Sequence, residues 1–146
     1  VYKRQERIIL FDFPVRHFPA HRQEILEELV RLNRRIAPDI VFAPSMHDVH
    51  QDHHTIAEEA IRAFKRTSIL GYEEPWNNLT FNNQVYVTLE ERHVNAKIAA
   101  VERYISQRGR VYASGEYIRS LPVSHGVQIG RQDACVRVRT CRPSSA

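Results

Sequence analysis

The sequence predicts an α/β fold, on two observations. Short apolar, β-branched runs alternate with longer segments whose apolar residues recur at a helical period. A polar turn rich in histidine and aspartate directly follows one of those runs and opens the next helical segment. Open α/β sheets carry their sites at such carboxyl ends of strands. The 146 residues fit one domain and suffice to bury a core.

Ile8–Phe11 reads as a buried strand, and Pro14 and Pro19 mark the loop after it. From His21 to Ile36 the residues Ile25, Leu26, Leu29, Val30, Leu32 and Ile36 keep a helical period, which Pro38 ends. Asp39–Ala43 is a second buried strand, closed by Pro44 and Ser45. The polar turn runs from Met46 to His54, and Ile56, Ala57, Ala60, Ile61 and Phe64 line one face of the following helix. Thr67–Tyr72 predicts a strand, Glu73–Asn83 a loop and Val85–Thr88 a short strand. A long helix is expected over Leu89–Gln107, with Ile98, Val101, Tyr104 and Ile105 inward, ending near Gly109. Tyr117–Leu121 predicts a short helix.

The totals exclude several classes. An apolar fraction of 42% and a charged fraction of 26% are ordinary for a globular protein. No run approaches the roughly 20 apolar residues of a membrane span, and the polar start Val1–Arg7 has no apolar core of a signal peptide. The net charge of +4 arises from Lys and Arg that mostly alternate with Glu on helical faces, so no nucleic-acid partner is expected. Cys135 and Cys141, five residues apart, form no metal or redox spacing, and so few cysteines suggest the cytoplasm.

The chemistry concentrates in Asp48-Val49-His50-Gln51-Asp52-His53-His54. Imidazole is the commonest protein ligand of borderline metals, and a histidine beside an aspartate can be oriented for acid or oxyanion work. The same turn also reads as an exposed cap in which Asp48 or Asp52 closes the helix. Tyr72, Glu73, Trp76 and Asn77 make a loop that offers an aromatic face and hydrogen-bonding groups to a sugar, or that pins itself to the body through Trp76. Asp12 and Arg16 read as a structural ion pair. Ser45 and Ser106 lack a nucleophile elbow, and no Gly-rich phosphate loop is present.

The strand beginning Pro38-Asp39, followed by the D-x-H-x-D-H turn at Asp48–His53, resembles the second signature of the PIG-L (LmbE-like) family of zinc-dependent N-deacetylases. Leu10–Arg16 with Arg22-Gln23-Glu24, the loop Tyr72–Asn77, and Ser106-Gln107 are similar too, so the likeness runs from about Ile8 to Gly130. The resemblance implies a Rossmann-like layered fold with a mostly parallel sheet. It implies His53 as a zinc ligand, His50 as the group that steadies the oxyanion or protonates the leaving amine, and Asp52 as its orienter. The implied activity is zinc-dependent removal of an acetyl group from an N-acetylated sugar or glycoconjugate, with Tyr72, Glu73 and Trp76 facing the substrate.

The sequence departs from the family at both ends. The first signature, H-P-D-D-E after a strand, would bring two more zinc ligands and the general base, and it does not occur here. His17 and His21 read as loop or cap residues rather than substitutes. We therefore expect a chain that lacks the N-terminal strand or strands, holds zinc poorly and is inactive alone. Its exposed sheet edge beside Asp39–Ala43 should favour self-association, and a homo-oligomer is a further expectation. Residues 131–146 form an atypical basic tail to which no function is assigned. The competing reading is a non-catalytic binding or scaffold module that keeps the fold without a complete metal site.

Overall fold

The structure, a computed structural model, describes residues 7–82, 85–131 and 134–140. It divides into two compact units, one from Phe11 to Val85 with the strand end from Val138, the other from Tyr86 to Arg137 with the residues before Phe11.

The first unit holds helix α1 (Arg22–Ile36), strand β1 (Ile40–Pro44), helix α2 (Gln51–Ala63) and strand β2 (Ser68–Tyr72). A short 3-10 turn, Phe18–His21, leads into α1, and Pro19 suits it because its fixed φ and missing N–H cost nothing at a helical start. At the other end Ala37 takes the left-handed conformation (φ 48°) and donates its N–H to Asn33 O, closing the helix just before Pro38. β1 and β2 pair in parallel, Ile40 opposite Ser68 through Pro44 opposite Tyr72, with α2 as the crossover. The core is Ala43, Ala60, Ala63, Phe64 and Ile69, packed by Leu26, Leu29, Val30, Val41 and Ile61. Full burial of a side chain such as Phe64 or Ile69 contributes about 2–3 kcal/mol.

Polar contacts lock α1 to α2. Asn33 Nδ2 donates to Ala63 O at 2.8 Å, satisfying a carbonyl at the end of α2. Glu59, wholly buried, accepts from Arg22 Nε at 2.7 Å and Arg62 Nη1 at 2.6 Å. The Glu59 hydrogen bond is the main reason the Arg22 guanidinium is held above its ordinary pKa. A buried carboxylate needs such partners, since an unpaired one costs several kcal/mol. This clamp fixes the helix whose first turn carries the histidines.

In the second unit strand β3 (Val85–Leu89) leads to helix α3 (Glu91–Val101), started by a reciprocal capping box between Glu90 and His93. Helix α4 (Gly115–Gln128) is capped by Ser114, whose Oγ accepts from Tyr117 N. Strand β4 (Ala134–Thr140) ends by pairing antiparallel with β2, Leu70 opposite Thr140 through Tyr72 opposite Val138. Within the first unit β2 thus lies between β1 and the end of β4.

The α/β class stands, and several expectations are corrected. The expectation of a mostly parallel sheet holds for β1–β2, while β2–β4 is antiparallel, a common addition to a parallel pair. Ile8–Phe11 is not a strand: no ladder partner is present among the described residues, and Ile8 and Leu10 are 70% and 87% exposed. β1 is buried only at Ala43 and Pro44, with Ile40 and Phe42 outward. The long helix expected to Gln107 stops at Val101, and Tyr104 and Ile105 are exposed around a separate 3-10 turn. α4 is longer than Tyr117–Leu121, because Pro122 sits inside the helix rather than ending it. Within the tail, residues 134–140 form β4 with Cys135 buried, and Cys141 lies outside the described residues. Among the described residues no helix is long and apolar enough to cross a membrane.

Candidate functional site

The site lies within the first unit, where β1 gives way to α2. Ser45, buried, makes the turn: its O accepts from Asp48 N and its Oγ from His47 N, both at 3.1 Å. The chain then enters α2 with His50 as N-cap, in extended conformation (φ −76°, ψ 119°). The cap is the imidazole itself: His50 Nδ1 accepts from Asp52 N at 3.2 Å. Neither aspartate of the turn is the cap that sequence reasoning offered.

Asp48 is buried, and both of its carboxylate oxygens are used. Oδ1 accepts from His50 N at 2.8 Å and Oδ2 meets His53 Nδ1 at 2.9 Å. The rings of His50 and His53 stack, centroids 4.5 Å apart and planes at 26°. An N–H pointing at His50 Nδ1 makes that nitrogen an acceptor, so the neutral ring carries its proton on Nε2. An ionised carboxylate can only accept, so His53 Nδ1 is the donor, and in the neutral ring its Nε2 keeps the lone pair.

The loop after β2 closes the other side. Val49 N donates to Asn77 O at 3.1 Å, Asp48 and Asn78 form an isolated antiparallel bridge, and Asn78 Oδ1 accepts from Glu74 N at 2.7 Å. These bonds bring Glu74 Oε2 to 3.5 Å from His53 Nδ1. Burial first, then the charges of Glu74 and Asp48, push the Tyr72 phenol up to about 12, so it stays a hydrogen-bond donor at neutral pH.

The sequence-derived site residues thus separate into groups. His50, His53 and Tyr72 converge on Asp48 and Glu74. Asp52 is buried beside them, but its carboxylate serves the backbone of the preceding loop, accepting from Arg16 N at 2.6 Å and Phe18 N at 3.2 Å. It reaches His50 through its own N–H. Trp76 is about half exposed, and Glu73 directly follows β2. His17 precedes the 3-10 turn without capping it, and His21 lies against Phe13 and Glu24. Among the described residues no ion pair joins Asp12 to Arg16.

Sequence reasoning missed Glu74, which lies in the Tyr72–Asn77 loop, and gave Asp48 no role of its own beyond that of an alternative cap. The available signal was position: an acid just past the carboxyl end of the strand neighbouring β1. Asp48, His53 and Glu74 offer one ligand atom each within 4.8 Å of one another, an imidazole nitrogen and two carboxylate oxygens. Zinc accepts that donor chemistry.

A parallel β-α-β unit with a histidine–carboxylate cluster at the carboxyl ends of its strands makes this an α/β protein with side chains grouped where a metal ion could be held. Residues 3–64 match the model of the PIG-L family, described as GlcNAc-PI de-N-acetylase. It is 31% identical over 84 residues to the uncharacterized deacetylase YaiS of Escherichia coli (strain K12), covering 56% of this chain and 45% of that protein. The chain therefore spans about half the length of this relative. Among solved structures, the zinc-inhibited form of teicoplanin deacetylase Orf2 superposes with a TM-score of 0.62 at 18% identity, covering 99% of this chain and 60% of that one. GalB, the 4-carboxy-2-hydroxymuconate hydratase of Pseudomonas putida KT2440, superposes with a TM-score of 0.63 at 18% identity, over 85% and 60%. At such identity the superpositions show a shared fold, and a deacetylase and a hydratase share it.

Proposed function

We propose that the protein is a zinc-dependent deacetylase that hydrolyses the N-acetyl group of an amino sugar or glycoconjugate. The observation that carries this reading is the approach of Asp48 and Glu74 to His53, 2.9 and 3.5 Å from its Nδ1, on a PIG-L family segment. His53 would hold the metal through Nε2, while Asp48 and Glu74, both on its Nδ1 side, would orient the ring. When bound, zinc supplies Lewis-acid activation of the amide carbonyl and of water.

The chain's own residues supply the rest. His50, protonated on Nε2, donates a hydrogen bond to the oxygen that gains charge as water adds to the amide carbon. The same nitrogen can then give its proton to the departing amine. Tyr72 adds a second neutral donor, Glu73 an acceptor for sugar hydroxyls and Trp76 an apolar face for the sugar ring. The H-P-D-D-E segment that the family resemblance implies is not in this sequence, so this chain alone binds zinc weakly and turns over little.

Zinc titration by calorimetry, beside an acetate-release assay on N-acetylglucosamine conjugates, tests the reading. Weak zinc binding that disappears in His53→Ala supports it. A chain that takes up no zinc, yet still binds the glycoconjugate, would move the protein to the non-catalytic binding class.

A further inference from the structure

Two things could occupy His53 Nδ1, a proton shared with Asp48 or a metal shared with Asp48 and Glu74, and these exclude each other. The hydrogen bonds already in place decide between them. Asp48 is buried, its Oδ1 takes the His50 N–H at 2.8 Å, and its Oδ2 lies 2.9 Å from His53 Nδ1. That separation is a charge-assisted hydrogen bond. Using Asp48 as a ligand would strip Nδ1 of its proton and draw Oδ2 away from a buried partner.

We infer that Asp48 is a positioning residue: it holds the proton on His53 Nδ1, so that His53 presents its Nε2 lone pair to the metal, and it fixes the His50 cap with its other oxygen. The inference rests on the deacetylase reading for the use of that lone pair; the tautomer itself does not. One carboxylate thereby prepares both histidines. Oδ2 selects the ligand nitrogen of His53. Oδ1 holds the His50 backbone in the extended cap conformation that turns its Nδ1 onto Asp52 N and leaves Nε2–H as a donor. Outer carboxylates of this kind set ring orientation and raise the basicity of the ligating nitrogen.

The test is a two-bond 1H–15N correlation on the histidine-labelled chain, at about pH 8.5, roughly two units above the ordinary histidine value. The wild-type chain should show His53 as the Nδ1–H tautomer. In Asp48→Asn the amide NH2 can face Nδ1 and donate to it, moving the proton to Nε2 without loss of the fold. Zinc affinity should fall about 10- to 100-fold with it, and Asp48→Glu, which keeps a carboxylate, should restore the Nδ1–H signal. Added zinc should perturb Nε2 of His53. An Nε2–H wild-type tautomer, an unchanged tautomer in Asp48→Asn, or zinc bound at Nδ1 would each overturn the inference. The wild-type spectrum decides the tautomer even where a variant fails to fold. An Nδ1–H tautomer that follows Asp48 in a chain taking up no zinc keeps the positioning role and sinks the zinc reading alone.

Discussion

His50 and His53 stack with centroids 4.5 Å apart and carry their protons on opposite nitrogens: the Nδ1 of one accepts from a backbone N–H, the Nδ1 of the other donates to Asp48. One helical turn thus presents a hydrogen-bond donor and an imidazole lone pair side by side, the two groups that the proposed amide hydrolysis would use.

The two duties of His50 can be separated by substitution. Asparagine is among the best N-cap residues, so His50→Asn should unfold within about 0.5 kcal/mol of wild type, whereas His50→Ala should lose about 1 kcal/mol. Both should lose the oxyanion donor of the proposed reaction, which would take the small acetate release of the zinc-loaded chain to background. Urea unfolding and acetate release measure the two effects independently. Equal stability of the two variants would show that the Nδ1 cap contributes nothing.

Tyr72 reports on the carboxylates around it. Its folded pKa of about 12 lies above the ordinary value of 10.0. The folded state therefore retains the proton longer than the unfolded chain. Any stabilisation from this is complete below about pH 10 and is lost as pH rises towards 12. Burial is the leading cause and Glu74 the next, so Glu74→Gln should lower the midpoint while leaving it above the ordinary value. The phenolate absorbance of wild type minus Tyr72→Phe isolates this one tyrosine. A midpoint unmoved by Glu74→Gln would place that carboxylate too far away to act on His53 either.

Asp52 is expected to matter through the loop before α1. Arg16 sits at φ 70°, a left-handed conformation that costs a non-glycine residue roughly 1 kcal/mol, and Asp52 Oδ2 holds its N–H at 2.6 Å. Gln51 Nε2 grips the Arg16 carbonyl at 2.5 Å. Asp52→Ala should cost about 2 kcal/mol, the range for hydrogen bonds to a charged acceptor. Arg16→Gly should recover part of that by removing the strain. Thermal unfolding of the two single variants and the double variant checks both signs. An Arg16→Gly chain less stable than wild type would contradict the strain assignment.

The site was legible in sequence where chemistry and position coincide, and not where long-range hydrogen bonds decide. The strand–turn–helix order around His50 and His53 follows from Pro44, the polar run and the apolar face at Ala57 and Ala60, all local signals. The convergence of Glu74 on His53 depends on Val49–Asn77 and Asp48–Asn78 contacts across more than 25 positions of chain, which no periodicity encodes. The role of Asp52 as an orienter of His50 came from the family resemblance, yet its carboxylate turns to a loop 36 residues earlier. Ile8–Phe11 failed for a different reason: β-branched composition describes what a strand needs, but a strand also needs a partner to pair with.

The exposed side of β1 carries the last expectation. Among the described residues β1 pairs on one side only, with β2, and Ile40 and Phe42 are 53% and 63% exposed on it. An unpaired strand edge flanked by apolar side chains is a template for pairing with another chain, and natural proteins blunt such edges with charge, lysine above all. The chain should therefore self-associate with rising concentration. Phe42→Lys should shift it towards monomer without destabilising the core, since Phe42 is not among the residues packed around Ala43 and Ile69. Sedimentation velocity over a concentration series reads the association state, and urea unfolding reads the stability. A monomeric wild type at all concentrations would mean that residues other than β1 already protect this edge. Association unchanged by Phe42→Lys would place the contact on another surface.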